Sequence, residues 1–151
     1  MKSFLRTTSL VALLFALLLP AAHADDRVYT DGGSVWNVSF IETHPGHFDD
    51  YIANLNQIWR RYLDEQKKDG DVLSYKMIPI AFPRDGEPNL MLMVEFKSWS
   101  AFDRGNDYFD KLAKRLQGGV KQATQSNIDR EEIRSLRGGF AGREIYFKKN
   151  K

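Results

Sequence analysis

The chain has 151 residues, no cysteine, 22 basic against 20 acidic side chains and 42% hydrophobic residues. That length suits one domain with one hydrophobic core, and the near balance of charge excludes a nucleic-acid surface built on bulk charge. The lack of cysteine excludes disulfides, thiolate metal sites and cysteine nucleophiles.

The N-terminus, "MKSFLRTTSLVALLFALLLPAAHADD", has the three parts of a secretory leader. Lys2 and Arg6 form a basic start, Leu10 to Leu19 an apolar run, and Ala22-His23-Ala24 a small-residue cleavage site. Spanning a bilayer takes about 20 apolar residues, which this run does not reach. Residues 1–24 are therefore expected to be a signal peptide, and the mature protein to be exported to a periplasmic or secreted location. Loss of Lys2 and Arg6 brings the basic count from 22 to 20, equal to the acidic count. The mature chain is then formally neutral, and export without disulfides leaves packing as its source of stability.

Residues 25–33, ending in Asp31-Gly32-Gly33, read as a flexible lead-in to a domain over 34–149. Ser34 to Thr43 is rich in β-branched and aromatic residues and predicts a first strand. Pro45-Gly46 turns the chain. From Phe48 onward, Tyr51, Ile52, Leu55, Ile58, Trp59, Tyr62 and Leu63 recur at three- and four-residue steps, which predicts an amphipathic helix. Asp49 and Asp50 lead it, Lys67 and Lys68 trail it in keeping with the helix dipole, and Gly70 stops it.

Asp71 to Phe82 and Asn89 to Lys97 predict two further strands, joined by a hairpin signal at Asp85-Gly86. Leu90, Leu92, Val94 and Phe96 fall on one face of the latter, Met91 and Met93 on the other. A sheet with one wet face alternates cleanly, so this one is expected to be covered on both sides. Ser98 is placed to cap a second helical stretch from Trp99 through Leu116, interrupted by glycine at 105 and 118–119. Ser126 with Asp129 predicts a fresh helix with Ile128, Ile133 and Leu136 on its apolar face, ended by Gly138-Gly139. Arg143 to Lys149 is expected to be the fourth strand.

The order strand–helix–strand–strand–helix–strand is that of a ferredoxin-like α+β domain with a four-stranded antiparallel sheet. Its two helices cover one sheet face, and the simplest cover for the other is the same face of a second copy. The predicted partner is therefore the chain itself, as a homodimer joined through the sheet.

On "VWNVSFIETHPGHFDDYIANL" and "LMLMVEFKSWSAFD", the chain resembles the dimeric α+β barrel superfamily. That group includes antibiotic-biosynthesis-type and haem-degrading monooxygenases and EthD-like and NIPSNAP-like proteins; this chain is similar to an exported branch of it. The resemblance implies a dimeric barrel and a pocket between sheet and helices. It matches Asn37 and Trp99 to an asparagine and a tryptophan of the haem-degrading branch. That branch also uses a histidine on the second helix, and none occurs from Trp99 to Gln117. No cofactor is expected.

Several residue groups could carry chemistry. Asn37 and Ser39 share one face of the first strand and could present hydrogen-bonding groups to a ligand, or could bond a loop or water. Tyr75 and Trp99 suit a ligand cleft or a core edge. Met91 and Met93 could adapt to a ligand or form a core stripe. Glu42, His44, His47, Asp49 and Asp50 offer metal donors, but Pro45-Gly46 separates the histidines and the i,i+4 pairing of specific zinc motifs is missing, so no metal is expected. His44 is also a candidate lone base.

Three functions follow: an exported binder of a small apolar or aromatic molecule without chemistry; a cofactor-independent monooxygenase or isomerase-like enzyme using Asn37, His44 or Tyr75; and an envelope interaction domain without a pocket.

Overall fold

A computed structural model describes residues 27–149, and the leader expected at 1–24 lies outside them. The elements are β1 (Tyr29–Thr30), β2 (Val35–Thr43), α1 (Phe48–Gln57), α2 (Trp59–Lys68), β3 (Val72–Pro79), β4 (Leu90–Phe96), a 3-10 turn (Trp99–Asp103), α3 (Asn106–Gln117), α4 (Val120–Arg130), β5 (Arg134–Arg143) and β6 (Tyr146–Phe147). The main sheet is antiparallel throughout, in the order β3-β4-β2-β5. This is the ferredoxin-like α+β arrangement expected from the element order.

Register separates the two faces of the sheet. Val35, Asn37, Ser39 and Ile41 lie opposite Phe96, Val94, Leu92 and Leu90 in turn. These residues face the helices. The core there has two parts, one where Leu63 of α2 and Ala101 meet Val35, Val72, Val94 and Phe96, the other where Tyr51 and Leu55 of α1 meet Ile41, Leu90 and Leu92. The helical periodicity thus points its apolar stripe at every second residue of β2 and β4, and burying that stripe stabilises both elements.

The predicted first helix has a joint at Ile58, where φ is −117° and ψ −69°. Its backbone ladder nonetheless runs through, since the Ile58 amide donates to the Asn54 carbonyl and the Tyr62 amide to the Ile58 carbonyl. Alternation at period 3.6 cannot register such a joint, because the apolar positions remain in phase on either side.

The last third of the chain departs from expectation. Helix α4 starts at Val120, not at Ser126, because Gly118 closes α3 in a left-handed conformation (φ +89°) and Gly119 turns directly into the next helix. Ile133 and Leu136 are not on a helix; Leu136 is in the fourth sheet strand, Arg134–Arg143. Gly138-Gly139 does not stop a helix but sits inside that strand. Two steps along β2, from Ser39 to Ile41, oppose three along β5, from Gly139 to Leu136. Gly138 has φ +112°, and a Cβ on Gly139 would lie 2.4 Å from the Val38 carbonyl oxygen. A glycine pair within a strand marks a bulge and a close backbone approach as readily as it marks a helix end.

Of the expected fourth strand, 143–149, Arg143 ends β5 and Tyr146–Phe147 forms β6, which pairs with β1 in a separate two-stranded ribbon. Part of the lead-in, Tyr29–Thr30, is accordingly a strand. Ser98 stands at the N-cap of the 3-10 turn that follows it, but its side chain makes no capping hydrogen bond; its hydroxyl meets that of Ser100.

Polar contacts tie helix α3 to α2. Gln117 Nε2 donates to the Tyr62 hydroxyl at 2.9 Å, Arg61 reaches the Leu116 carbonyl, and Arg115 pairs with Glu65. At the near end, Tyr108 donates to Asp69 and Arg104 to Asp71. Helix α4 buries no residue fully, and Leu136, on the helix side of β5, is 59% exposed.

Candidate functional site

Among the described residues, a cleft of about 420 Å³ is lined by Asp49, Ile52, Ala53, Leu55, Asn56, Trp59, Arg60, Tyr75 and Met77. Helices α1 and α2 supply the wall and the edge strand β3 the floor. Tyr75 and Met77 reach it because both share the helix-facing parity of β3, opposite Val94 and Leu92. Trp59 reaches it because it opens α2 immediately after the Ile58 joint.

Trp59 and Tyr75 meet edge to face with ring centroids 5.3 Å apart, a favoured aromatic geometry. The Tyr75 hydroxyl donates to Asp64 at 2.7 Å. Burial, and then the bond to Asp64, pushes its phenol above the ordinary value. Tyr75 therefore stays protonated at neutral pH and cannot serve as a phenolate base. The cleft combines an apolar lining (Ile52, Leu55, Trp59, Met77) with polar groups at Asp49, Asn56, Arg60 and Tyr75. That composition suits a flat apolar molecule with one or two polar substituents.

Asn37 belongs to the same sheet row as Tyr75, because Tyr75 lies opposite Val94 and Val94 opposite Asn37. Two strand spacings, about 10 Å, separate them, and Val94 stands between. Asn37 and Ser39 are half-buried on the helix side of β2 and make no side-chain hydrogen bond to another described residue. Their polar groups are available, but they do not line the cleft. Trp99 is elsewhere: its ring packs on Phe102, which in turn packs on Phe96. The four sequence candidates therefore do not form one constellation; Tyr75 alone lines the cleft.

His44 is committed at both ring nitrogens, to the Glu132 carbonyl at 2.8 Å and the Ser135 hydroxyl at 3.1 Å. Its backbone amide donates to the Ile133 carbonyl. It ties the β2–α1 turn to the start of β5, and it does not line the cleft. His47 pairs with Asp50 at 3.0 Å on the surface, and Glu42 accepts from Arg137. Four of the five donors pooled in the sequence, Glu42, His44, His47 and Asp50, are thus engaged in such contacts, and among the described residues no group of three or more acids or histidines is placed to hold a metal ion.

Sequence reasoning missed Trp59 as a cleft residue. It falls on the core stripe of the first helix, and, partly buried, it does pack against both parts of the core. The signal was present in the pairing of a tryptophan with a tyrosine one strand away, but only register reveals that pairing.

The second face of the sheet is largely apolar, and among the described residues no helix covers it. Trp36, Val38 and Phe40 of β2 lie opposite Glu95, Met93 and Met91 of β4, with Ile78 and Lys76 beyond them on β3 and Phe140 on β5. Phe40 and Phe140 stand 6.4 Å apart, and Lys76 Nζ lies 4.6 Å from the Trp36 ring centroid. Phe140 is 56% exposed. At one end a polar network borders the patch: Ser34 bridges Glu95 and Glu144, Ser74 donates to Glu95, and the Trp36 indole donates to Glu144 at 2.7 Å.

No family model matches the chain, and no curated protein does. Among solved structures, a dimeric ferredoxin-like protein from an uncultured marine organism is similar at 10% identity, over 80% of this chain and 94% of that one, with a TM-score of 0.49. Among the described residues, no helix is long and apolar enough to cross a membrane.

Proposed function

We propose that this chain is an exported small-molecule-binding protein that works as a homodimer joined through its open sheet face, in the manner of the dimeric α+β barrels. The observation that carries the binding role is the cleft of about 420 Å³ faced by Trp59 and Tyr75. Its size matches a drug-sized or smaller ligand, and its aromatic pair favours a planar aromatic one. The dimer reading rests on the unhelixed apolar face, a contiguous patch of the kind that marks an interaction site. A cleft on the helix side stays open when the opposite sheet face is covered, so the two roles are compatible. Export rests on the leader.

Binding is preferred over catalysis because the hydroxyl of Tyr75, the one sequence candidate that lines the cleft, is engaged with Asp64, and His44 lies outside the cleft. The test is tryptophan fluorescence and thermal shift of the mature protein against a panel of phenols, quinols and naphthols. At least one is expected to quench emission and raise Tm in a saturable way. Ala53→Trp, which fills the cleft from an exposed position, is expected to abolish the response while leaving the fold intact. A response unchanged by Ala53→Trp places the ligand elsewhere and overturns this reading. Oxygen consumption with the same panel would instead assign an enzyme.

A further inference from the structure

A second group of side chains lies across α1 from the cleft, where the end of α4 meets the start of β5. Arg134 opens β5 on the helix side of the sheet, opposite Thr43, and its side chain is only 7% exposed. Its Nη2 pairs with Glu131 at 2.9 Å. Its Nε and Nη1 are buried with no partner. Arg130, the last residue of α4, also has a buried Nε with no partner. Tyr51, buried on the sheet-facing side of α1, is within electrostatic reach of both guanidiniums.

Half-buried Arg130 and buried Arg134 thus flank the same α4–β5 turn, where one carboxylate, Glu131, pairs with Arg134. Burial, compounded by Arg134, pulls Arg130 below its ordinary value. The C-terminal end of α4 favours nearby cations, which helps explain their tolerance. It does not supply acceptors for three shielded donor nitrogens. A buried charged donor without a partner is costly, and a native structure rarely keeps three together without a reason. Glu131 cannot be that acceptor for all, because it is more than half exposed and engages only Nη2.

We infer that the junction of α4, β5 and α1 binds a small oxyanion, either a free inorganic one or the carboxylate end of an organic acid, held by Arg130 and Arg134. Guanidinium donors are the side chains best suited to such groups, since they stay charged and offer several N–H directions. The site is separate from the aromatic cleft and does not depend on it.

Thermal unfolding of the mature protein, titrated with sodium phosphate, acetate or benzoate at fixed ionic strength, tests this. Acetamide and benzamide serve as neutral controls. At least one anion is expected to raise Tm in a saturable way and the amides are not. Phosphate alone acting identifies a free inorganic ion; benzoate or acetate acting identifies a carboxylate. Arg134→Met is expected to abolish the rise while unfolding no lower than the anion-free parent, because it removes an incompletely paired buried charge. Arg130→Gln is expected to weaken the apparent affinity about tenfold, the loss of one charged hydrogen bond. A Tm indifferent to all three anions assigns the orphan donors to ordered water alone and overturns the inference. So does a rise that survives in both variants.

Discussion

At the scale of single residues, two positions show how little freedom the fold leaves. Gly139 runs so close to β2 that a methyl group would meet the Val38 carbonyl oxygen at 2.4 Å. Backbone on both sides of that contact belongs to the sheet, so neither strand can yield cheaply. Gly139→Ala is expected to lower the unfolding free energy by about 2 kcal/mol or more, measured by urea titration. Glu144 accepts hydrogen bonds from Tyr146, Trp36 and Ser34. The bond from Tyr146, followed by that from Trp36, holds its carboxyl below the ordinary value of 4.5. The unfolded chain therefore takes up this proton before the folded protein does. The resulting stabilisation is complete above the unfolded value and fades as pH falls through the folded one. Glu144→Gln is expected to flatten the acid side of the stability–pH profile below pH 4.5, leaving its neutral-to-alkaline slope unchanged.

At the scale of elements, legibility followed periodicity. The first helix and strands β2, β3 and β4 were readable because each presents one apolar face to a common core, which imprints a period of 3.6 or 2 on the residues. Strand β5 was not. Its helix side carries Leu136 and Ala141 in the open, its middle is Gly138-Gly139, and its other side is Phe140 on the uncovered face. An edge strand with a bulge has no alternation to read. The same lesson covers α4, which buries no residue fully and so has no stripe to locate its start. Its true start is set by the Gly118-Gly119 reversal. Because Gly118 adopts φ +89°, Gly118→Ala is expected to cost about 1 kcal/mol through backbone strain. Its Tm should fall by a few degrees, with the far-UV circular dichroism of the native state unchanged.

At the scale of the whole molecule, the two faces of the sheet divide the work. The helix side holds the core and, at the β3 edge, the cleft. The other side displays Trp36, Phe40, Met91, Met93 and Phe140 bordered by the Glu95–Ser34–Glu144 network. If a second copy covers that face, a charge placed at its centre must disrupt the pair while sparing the fold. Phe140→Glu, at a half-exposed position, is expected to convert a dimer into a monomer in light scattering at micromolar concentration, with little change in circular dichroism. A parent protein that scatters as a monomer contradicts the pairing from the outset.

By itself, the sequence determined the ferredoxin-like order of elements, the polarity of the first helix and the apolar character of both sheet faces. Each of these is written locally, in neighbours a few residues apart whose burial dictates their type. Only the tertiary structure decided that Tyr75 and Trp59 share a cleft while Asn37, Ser39 and Trp99 stand apart from it. It likewise decided that His44 ties the β2–α1 turn to β5 and that buried nitrogens of Arg130 and Arg134 lack partners at the α4–β5 junction. Those relations depend on strand order, register and one bulge, which join residues distant along the chain and leave no periodic trace in it.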